Sequence, residues 1–284
     1  MRKNLLLIAA LFAVNLSFGQ FYISSSVGQA IGSAEVKFGE IITTSESQNS
    51  YGSYGEGTNY QFRTGYFFND TFGIDLGVAY LYGADQTVSD VSVPNQEINA
   101  IARARAFGFS PSLVYKFTSK IYGRFGALLK VGGKTEAVVY KKQGFSDVEA
   151  SALGLPSGSY SETNYIEDYK GKLPLGFVGA LGYKYDFNNN LGLFVEAEYL
   201  GISVKRKESE IQEFNTDVML PDGTVAVPGF YNIDQLPEGF SKKSTYVDEA
   251  ANANTDASIK LAQRVPYSSF GLNFGITYTF SKKQ

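Results

Sequence analysis

The sequence predicts an all-β fold, an eight-stranded antiparallel up-and-down β-barrel that crosses a membrane with its strands. Three observations predict it. Large apolar residues recur at every second position over stretches of about ten residues. The connections between these stretches alternate between about three residues and twenty or more. Aromatic rings gather beside the short connections.

The N-terminal segment is an address. Arg2 and Lys3 give a positive start, Leu5 to Val14 an apolar run, and Ser17-Phe18-Gly19 small residues suited to a cleavage site after Gly19. Residues 1–19 therefore read as a signal peptide. The apolar run is about half of the roughly twenty residues that a spanning helix needs. No later stretch is long and apolar enough, so residues 20–284 can span a membrane only as a closed sheet.

The first strand is the weakest, with Phe21, Ile23, Val27 and Ile31 on one face. Tyr60, Phe62, Tyr66 and Phe68 alternate with Asn59, Gln61, Arg63 and Gly65, and Asn69-Asp70-Thr71 turns the chain into Phe72, Ile74, Leu76, Val78, Tyr80 and Tyr82. Phe107, Phe109, Leu113, Tyr115 and Phe117 meet Ile121, Phe125, Ala127, Leu129 and Val131 through Thr118-Ser119-Lys120. Leu175, Phe177, Leu181, Tyr183, Tyr185 and Phe187 meet Leu191, Leu193, Val195, Ala197 and Tyr199 through Asn188-Asn189-Asn190. The last strand alternates most cleanly, with Phe270, Leu272, Phe274, Ile276, Tyr278 and Phe280 against small and polar residues. Its length of about eleven residues suits a tilted membrane strand better than the five or six of a soluble sandwich.

Short turns on one side and long loops on the other are the build of bacterial outer-membrane barrels. The long connections fall near residues 34–57, 84–104, 134–171 and 206–264, and are expected outside the cell, with both chain ends in the periplasm. Ala137 to Tyr140 or Thr224 to Ile233 are candidate extra strand pieces that extend hairpins above the membrane; two more membrane strands would make a ten-stranded barrel. Tyr66, Phe68, Phe72, Tyr115, Phe117, Tyr122, Tyr183, Tyr185, Phe187, Tyr278 and Phe280 flank the short turns as an interfacial girdle.

Composition excludes more than it assigns. There is no Cys and no His, which removes thiolate chemistry, disulfides, the commonest general base and the commonest transition-metal ligand. No catalytic, cofactor-binding or metal-binding residues are assigned, and no enzymatic activity is expected. With 25 basic against 28 acidic residues and no basic cluster, nucleic acid is not an expected partner.

If the apolar faces meet lipid, then Arg63, Asp75, Lys116, Arg124, Lys130, Glu196 and Glu198 face the lumen, with Lys184 and Asp186. Mixed signs in an interior only wide enough for side chains predict a plug of ion pairs. The alternative is a selectivity lining for a narrow channel. Glu196 and Glu198 lie two apart among cations, which suits pairing better than acid-base work.

Asn273-x-Gly275-x-x-Tyr278-x-Phe280 closes the last strand. With the signal peptide and eight strands, this motif resembles the OmpA/OmpX-type family of outer-membrane β-barrel domains over essentially the whole mature chain. The resemblance implies that Asn273, Gly275, Tyr278 and Phe280 form the signal read by the barrel assembly machinery. It departs from many members in the tail Ser281-Lys282-Lys283-Gln284. Only these four residues follow the last strand, so the peptidoglycan anchoring of two-domain members is not expected. The expected function is that of a structural outer-membrane component in contact with lipid, with loops that present a surface for adhesion or recognition of an extracellular ligand. The Tyr, Ser and Gly of residues 49–57 suit either such recognition or a solvated loop.

Overall fold

The computed structural model describes residues 20–33 and 36–280; the expected signal peptide and the tail after Phe280 lie outside them. Three short turns organise the lower end, each closed by its own first polar side chain. Asn69 Oδ1 accepts from the amides of Thr71 and Phe72, at 2.9 and 2.8 Å. Thr118 Oγ1 does the same for Lys120 and Ile121, and Asn188 Oδ1 for Asn190 and Leu191. A side chain that satisfies two orphan amides fixes the turn without help from glycine.

These turns join β4 (Gly57–Phe67) to β5 (Phe72–Gly83), β7 (Gln96–Lys116) to β8 (Ile121–Gly144), and β10 (Leu175–Asp186) to β11 (Leu191–Gly201). The first strand, β1 (Gln20–Gly32), pairs with β4 on one side and with the last, β17 (Ser269–Thr279), on the other. Further antiparallel ladders link β4 to β5, β5 to β7, β7 to β8, β8 to β10, β10 to β11 and β11 to β17. The ladders return to their start, so these strands form a closed ring without a free edge.

Nine more strands and one helix stand above the ring, and the described residues hold seventeen strands in all. Residues 34–57 and 84–104, read from sequence as loops, contain β2 (Val36–Thr43), β3 (Ser47–Gly52), β6 (Gln86–Val93) and the upper part of β7. Residues 134–171 contain the upper half of β8, α1 (Asp147–Ala152) and β9 (Tyr160–Gly171). Residues 206–264 contain most of β12 (Ser203–Met219), with β13 (Val225–Asn232), β14 (Lys243–Val247), β15 (Ile259–Leu261) and the start of β16 (Arg264–Pro266). The loop expectation is corrected here; these strands lack the row of large exposed apolar residues by which the ring strands were read. Glu208-Ser209-Glu210-Ile211 pairs fully with β9 yet carries no repeating row of large apolar residues. The upper sheet runs β2, β6, β7, β8, β9, β12, β14, with β7 and β8 passing through it and the ring without interruption.

The outer face of the ring is apolar and exposed. Leu113 is 65% exposed, Phe125 64% and Leu181 57%, and the same holds for Phe62, Val78, Leu193, Phe274 and Ile276 on the other strands. A water-soluble protein has nothing to cover a belt of this extent. At its upper limit Arg105 lies over the Tyr82 ring, 3.7 Å from the centroid. Immediately above, the outer face turns ionic: Arg103 pairs with Glu136 at 2.6 Å, and Lys134 with Glu136 and Asp168 at 2.9 and 2.8 Å.

A bulge makes that change. The β7–β8 register shifts between Phe107 and Gly108, and Gly133 has φ +89°. A Cβ on Gly133 would stand 1.9 Å from the Arg105 carbonyl oxygen. The extra residue reverses which side chains of β8 face outward, so that Lys134 and Glu136 point to water and Thr135 to the interior.

Candidate functional site

The interior has two layers. In the lower one, Arg63 on β4 reaches across the ring to Glu196 on β11, its Nη1 donating to both carboxylate oxygens at 2.9 Å. Arg124 on β8 donates from Nη2 to Glu196 at 2.9 Å and also to Glu198. The Tyr122 hydroxyl donates to Glu196 at 2.9 Å, and the Gln61 amide to Glu198 at 2.7 Å. Glu196 is fully buried, and Arg63, Arg124 and Glu198 are each at most 4% exposed. Two cations and two anions thus cancel in a buried, multiply hydrogen-bonded cluster, the arrangement that buried charge requires.

Glycines make room for it. A Cβ on Gly65 would lie 2.3 Å from the Tyr22 ring, and one on Gly182 2.3 Å from the Tyr122 ring. These two tyrosines cross the lower lumen beside the ion pairs, with Arg63 5.1 Å above the Phe194 ring. Tyr122, expected in the girdle, therefore points inward instead; its position next to a turn concealed its parity. The other girdle residues are outside, and their rings contact one another along the turn end: Phe72 with Tyr115 at 4.9 Å, Tyr185 with Phe187 at 5.5 Å, and Phe280 with Phe21 at 5.2 Å.

The remaining charges of the expected network stand apart from it. Asp75 is buried but meets no cation within ion-pair distance among the described residues; it accepts from the Tyr22 hydroxyl at 3.3 Å. Lys116 lies over the Phe67 ring at 3.7 Å, and Lys130 donates to the Gly133 carbonyl at 3.4 Å. Lys184 pairs with Asp186 at 2.8 Å at the lower rim.

Of the terminal motif, Asn273 is fully buried in the lumen and donates from Nδ2 to Glu198 at 3.3 Å. Gly275 leaves space for the Phe194 ring, which would stand 2.5 Å from a Cβ there, and Gly28 does the same for Asn273. Tyr278 and Phe280 are exposed on the outer face.

The second layer escaped the sequence reading. Above the ion pairs, Tyr54 and Tyr267 fill the ring with Ala102, Ala104, Ala106, Leu128, Ile202 and Val204, all buried. Tyr54 enters from the connection after β3, held by its amide to the Pro266 carbonyl at 3.0 Å and by Ser53 Oγ to the Ser268 carbonyl at 2.7 Å. Its ring meets Phe38 edge-on at 4.4 Å and Tyr267 at 5.5 Å. The Tyr267 hydroxyl is 2.5 Å from Thr135 Oγ1. The only sequence signal was Tyr54-Gly55, where the glycine admits the Tyr267 carbonyl to 2.1 Å of a would-be Cβ. Two small cavities of about 60 and 70 Å³ flank the charged layer, enough for a few waters each.

A larger cavity of about 710 Å³ lies above the plug, against the concave face of the upper sheet. Val88, Ala100, Ala137 and Val139 form one wall, and Tyr165, Phe214, Phe230 and Phe240 the other.

No family model matches the sequence, and neither does any curated protein. Among solved structures, the chain is similar to the outer membrane protein OprG from Pseudomonas aeruginosa, at TM-score 0.39 and 11% identity over 94% of this chain and 98% of that one. It is also similar to CarO2 of Acinetobacter baumannii, at TM-score 0.33 and 14% identity over 92% and 99%. A third is Ail, the attachment invasion locus protein of Yersinia pestis, at TM-score 0.33 and 9% identity over 93% and 99%.

Proposed function

We propose that this chain is a non-enzymatic integral protein of the bacterial outer membrane. In this reading the ring of eight strands is the transmembrane wall, its apolar belt meets lipid, and the upper sheet stands outside the cell as the surface presented for recognition. The lumen serves as structural filling. The observation that carries the reading is the double obstruction of the ring, first by the Arg63, Arg124, Glu196 and Glu198 cluster and then by the Tyr54–Tyr267 layer. Buried ion pairs that satisfy each other across the ring occupy the lumen, unlike the solvated charges that line a conducting pore.

Asn273, Gly275, Tyr278 and Phe280 are proposed as the assembly signal. Asn273 and Gly275 carry a second duty in this reading, since both shape the lumen, and the two exposed rings remain free to be read by the machinery.

Planar-bilayer recording tests the proposal. The purified protein is expected to give no steady conductance of a size that passes a sugar. Such a conductance, abolished when the protein is heat-denatured, would establish the competing reading of a channel or transporter.

A further inference from the structure

We propose that the cavity above the plug is a binding site for an aromatic, mostly apolar molecule that carries a single anionic group. This goes beyond the structural role proposed above and rests on that reading for the orientation of the upper sheet and the obstruction beneath it.

The volume comes first. About 710 Å³ lies within the range of roughly 300–1,000 Å³ typical of small-molecule sites, whereas the cavities below the plug are a tenth of that. Its floor is closed, because Val88 and Ala137 pack against the Tyr54–Tyr267 layer. A molecule that enters from outside therefore stops there rather than passing through.

The lining comes second. One wall is aliphatic and flat, set by the small inward residues of β7 and β8. The facing wall is aromatic and already arranged as a box: the Phe240 ring is edge-on to Tyr165 at 5.7 Å and to Phe214 at 5.2 Å, and Tyr165 stacks on Phe214 at 5.7 Å. Phe230 and Phe240 remain 37% and 39% exposed although they stand beside open apolar space. A flat ring placed between the walls would bury the faces of both and regain the dispersion contacts that an empty apolar cavity forfeits.

The polar groups come third: hydroxyls of Ser, Thr and Tyr residues and one lysine are set among the apolar walls. Thr163 and Thr216 hydrogen-bond each other at 2.8 Å on the inner surface. The Tyr165 hydroxyl is pushed up to about 12 by burial and by Glu167, and so remains a neutral donor. Lys141 is the cation of the lining, exposed and without an ion pair among the described residues. A box of mainly apolar and aromatic walls, with neutral hydroxyls and one cation in its lining, selects a molecule with an aromatic body and one negative charge. A polyanion or a sugar would leave most of its polar groups unpaired.

The test uses 8-anilinonaphthalene-1-sulfonate as the probe, with the full mature chain in zwitterionic lipid nanodiscs and empty nanodiscs as the blank. The expected result is a saturable fluorescence increase at one site per chain. The Val139→Trp variant fills the cavity and is expected to weaken binding at least tenfold; its folding is checked by heat-modifiable gel migration. If that variant misfolds, the paired variant Phe230→Ser/Phe240→Ser alters only half-exposed rings and is expected to weaken binding similarly. Lys141→Gln should weaken the sulfonate probe but leave neutral N-phenyl-1-naphthylamine unchanged. The inference is overturned if no saturable signal exceeds the blank, or if either the Val139→Trp or the Phe230→Ser/Phe240→Ser variant folds and binds as the parent does.

Discussion

Replacing Glu196 by Gln tests the lumen cluster directly. Among the described residues, Glu196 is the one anion paired to Arg63 and one of two paired to Arg124, and it is fully buried. The substitution keeps the volume but leaves Arg63 with no carboxylate in reach, while Glu198 still serves Arg124. Breaking a buried pair from one side costs about 3–5 kcal/mol. Part of that is the loss of charge-assisted hydrogen bonds, worth about 1.5–3 kcal/mol each. The expected loss is therefore about 3–5 kcal/mol, read from equilibrium urea unfolding in lipid vesicles as a lower midpoint at unchanged slope. The double variant Arg63→Met/Glu196→Gln removes both charges of the orphaned pair. It should recover most of the loss, because the penalty arises from an uncompensated cation rather than from the missing contact. A loss below about 1 kcal/mol for Glu196→Gln, or a double variant that loses as much as the sum of its parts, would refute the reasoning.

Other outcomes follow from the same geometry. Gly65→Leu drives a side chain into the Tyr22 ring and should abolish the heat-modifiable folded form on gels, whereas Gly132→Ala, whose Cβ has 3.7 Å to Phe107, should leave it intact. Gly133→Val meets both a positive φ and the Arg105 carbonyl, and should lower stability by more than the roughly 1–3 kcal/mol of ordinary overpacking, measured by the same urea titration. Tyr54→Ala with Tyr267→Ala removes the upper layer but not the ion pairs, so bilayer recordings should remain closed to sugar-sized solutes. Asp248 is held below the usual carboxylate range by its hydrogen bond from Lys205. Its contribution to the docking of β14 is present above the unfolded carboxylate pKa and lost as the pH falls through the folded one. Hydrogen exchange of β14 should therefore accelerate at acid pH in the parent, and lose that pH dependence in Lys205→Met.

The ring was legible in the sequence because an apolar outer face and a polar lumen impose opposite demands on neighbouring residues. Phe270 to Phe280 reads as a strand from its alternation alone, and the three turns announce themselves through Asn69, Thr118 and Asn188. The cluster was legible as a set of inward charges, but its membership was not. Parity puts Lys116 and Lys130 on the same face as Arg124, yet only the cross-ring distance decides which of them reaches a carboxylate. The plug was invisible for a different reason. Tyr54 and Tyr267 come from segments 213 residues apart and enter the ring from above, so no local period marks them. The upper sheet was legible only in pieces, at Ala137 to Tyr140 and Thr224 to Ile233; the rest escaped because its outer face is polar and its buried face mixes polar with apolar residues, as in Ser209 beside Ile211.

The length of β8 has a mechanical consequence. Its 24 residues extend about 80 Å along the strand, or about 60 Å along the ring axis at the tilt usual for such walls. An apolar band of about 25 Å accounts for less than half of that reach. The rest is a cantilever of paired strands, since β7 and β8 run on as single strands past the bulge and resume their pairing above it. Whatever meets the top of this sheet meets it at a fixed height and angle, held by the same beams that run down into the packed interior.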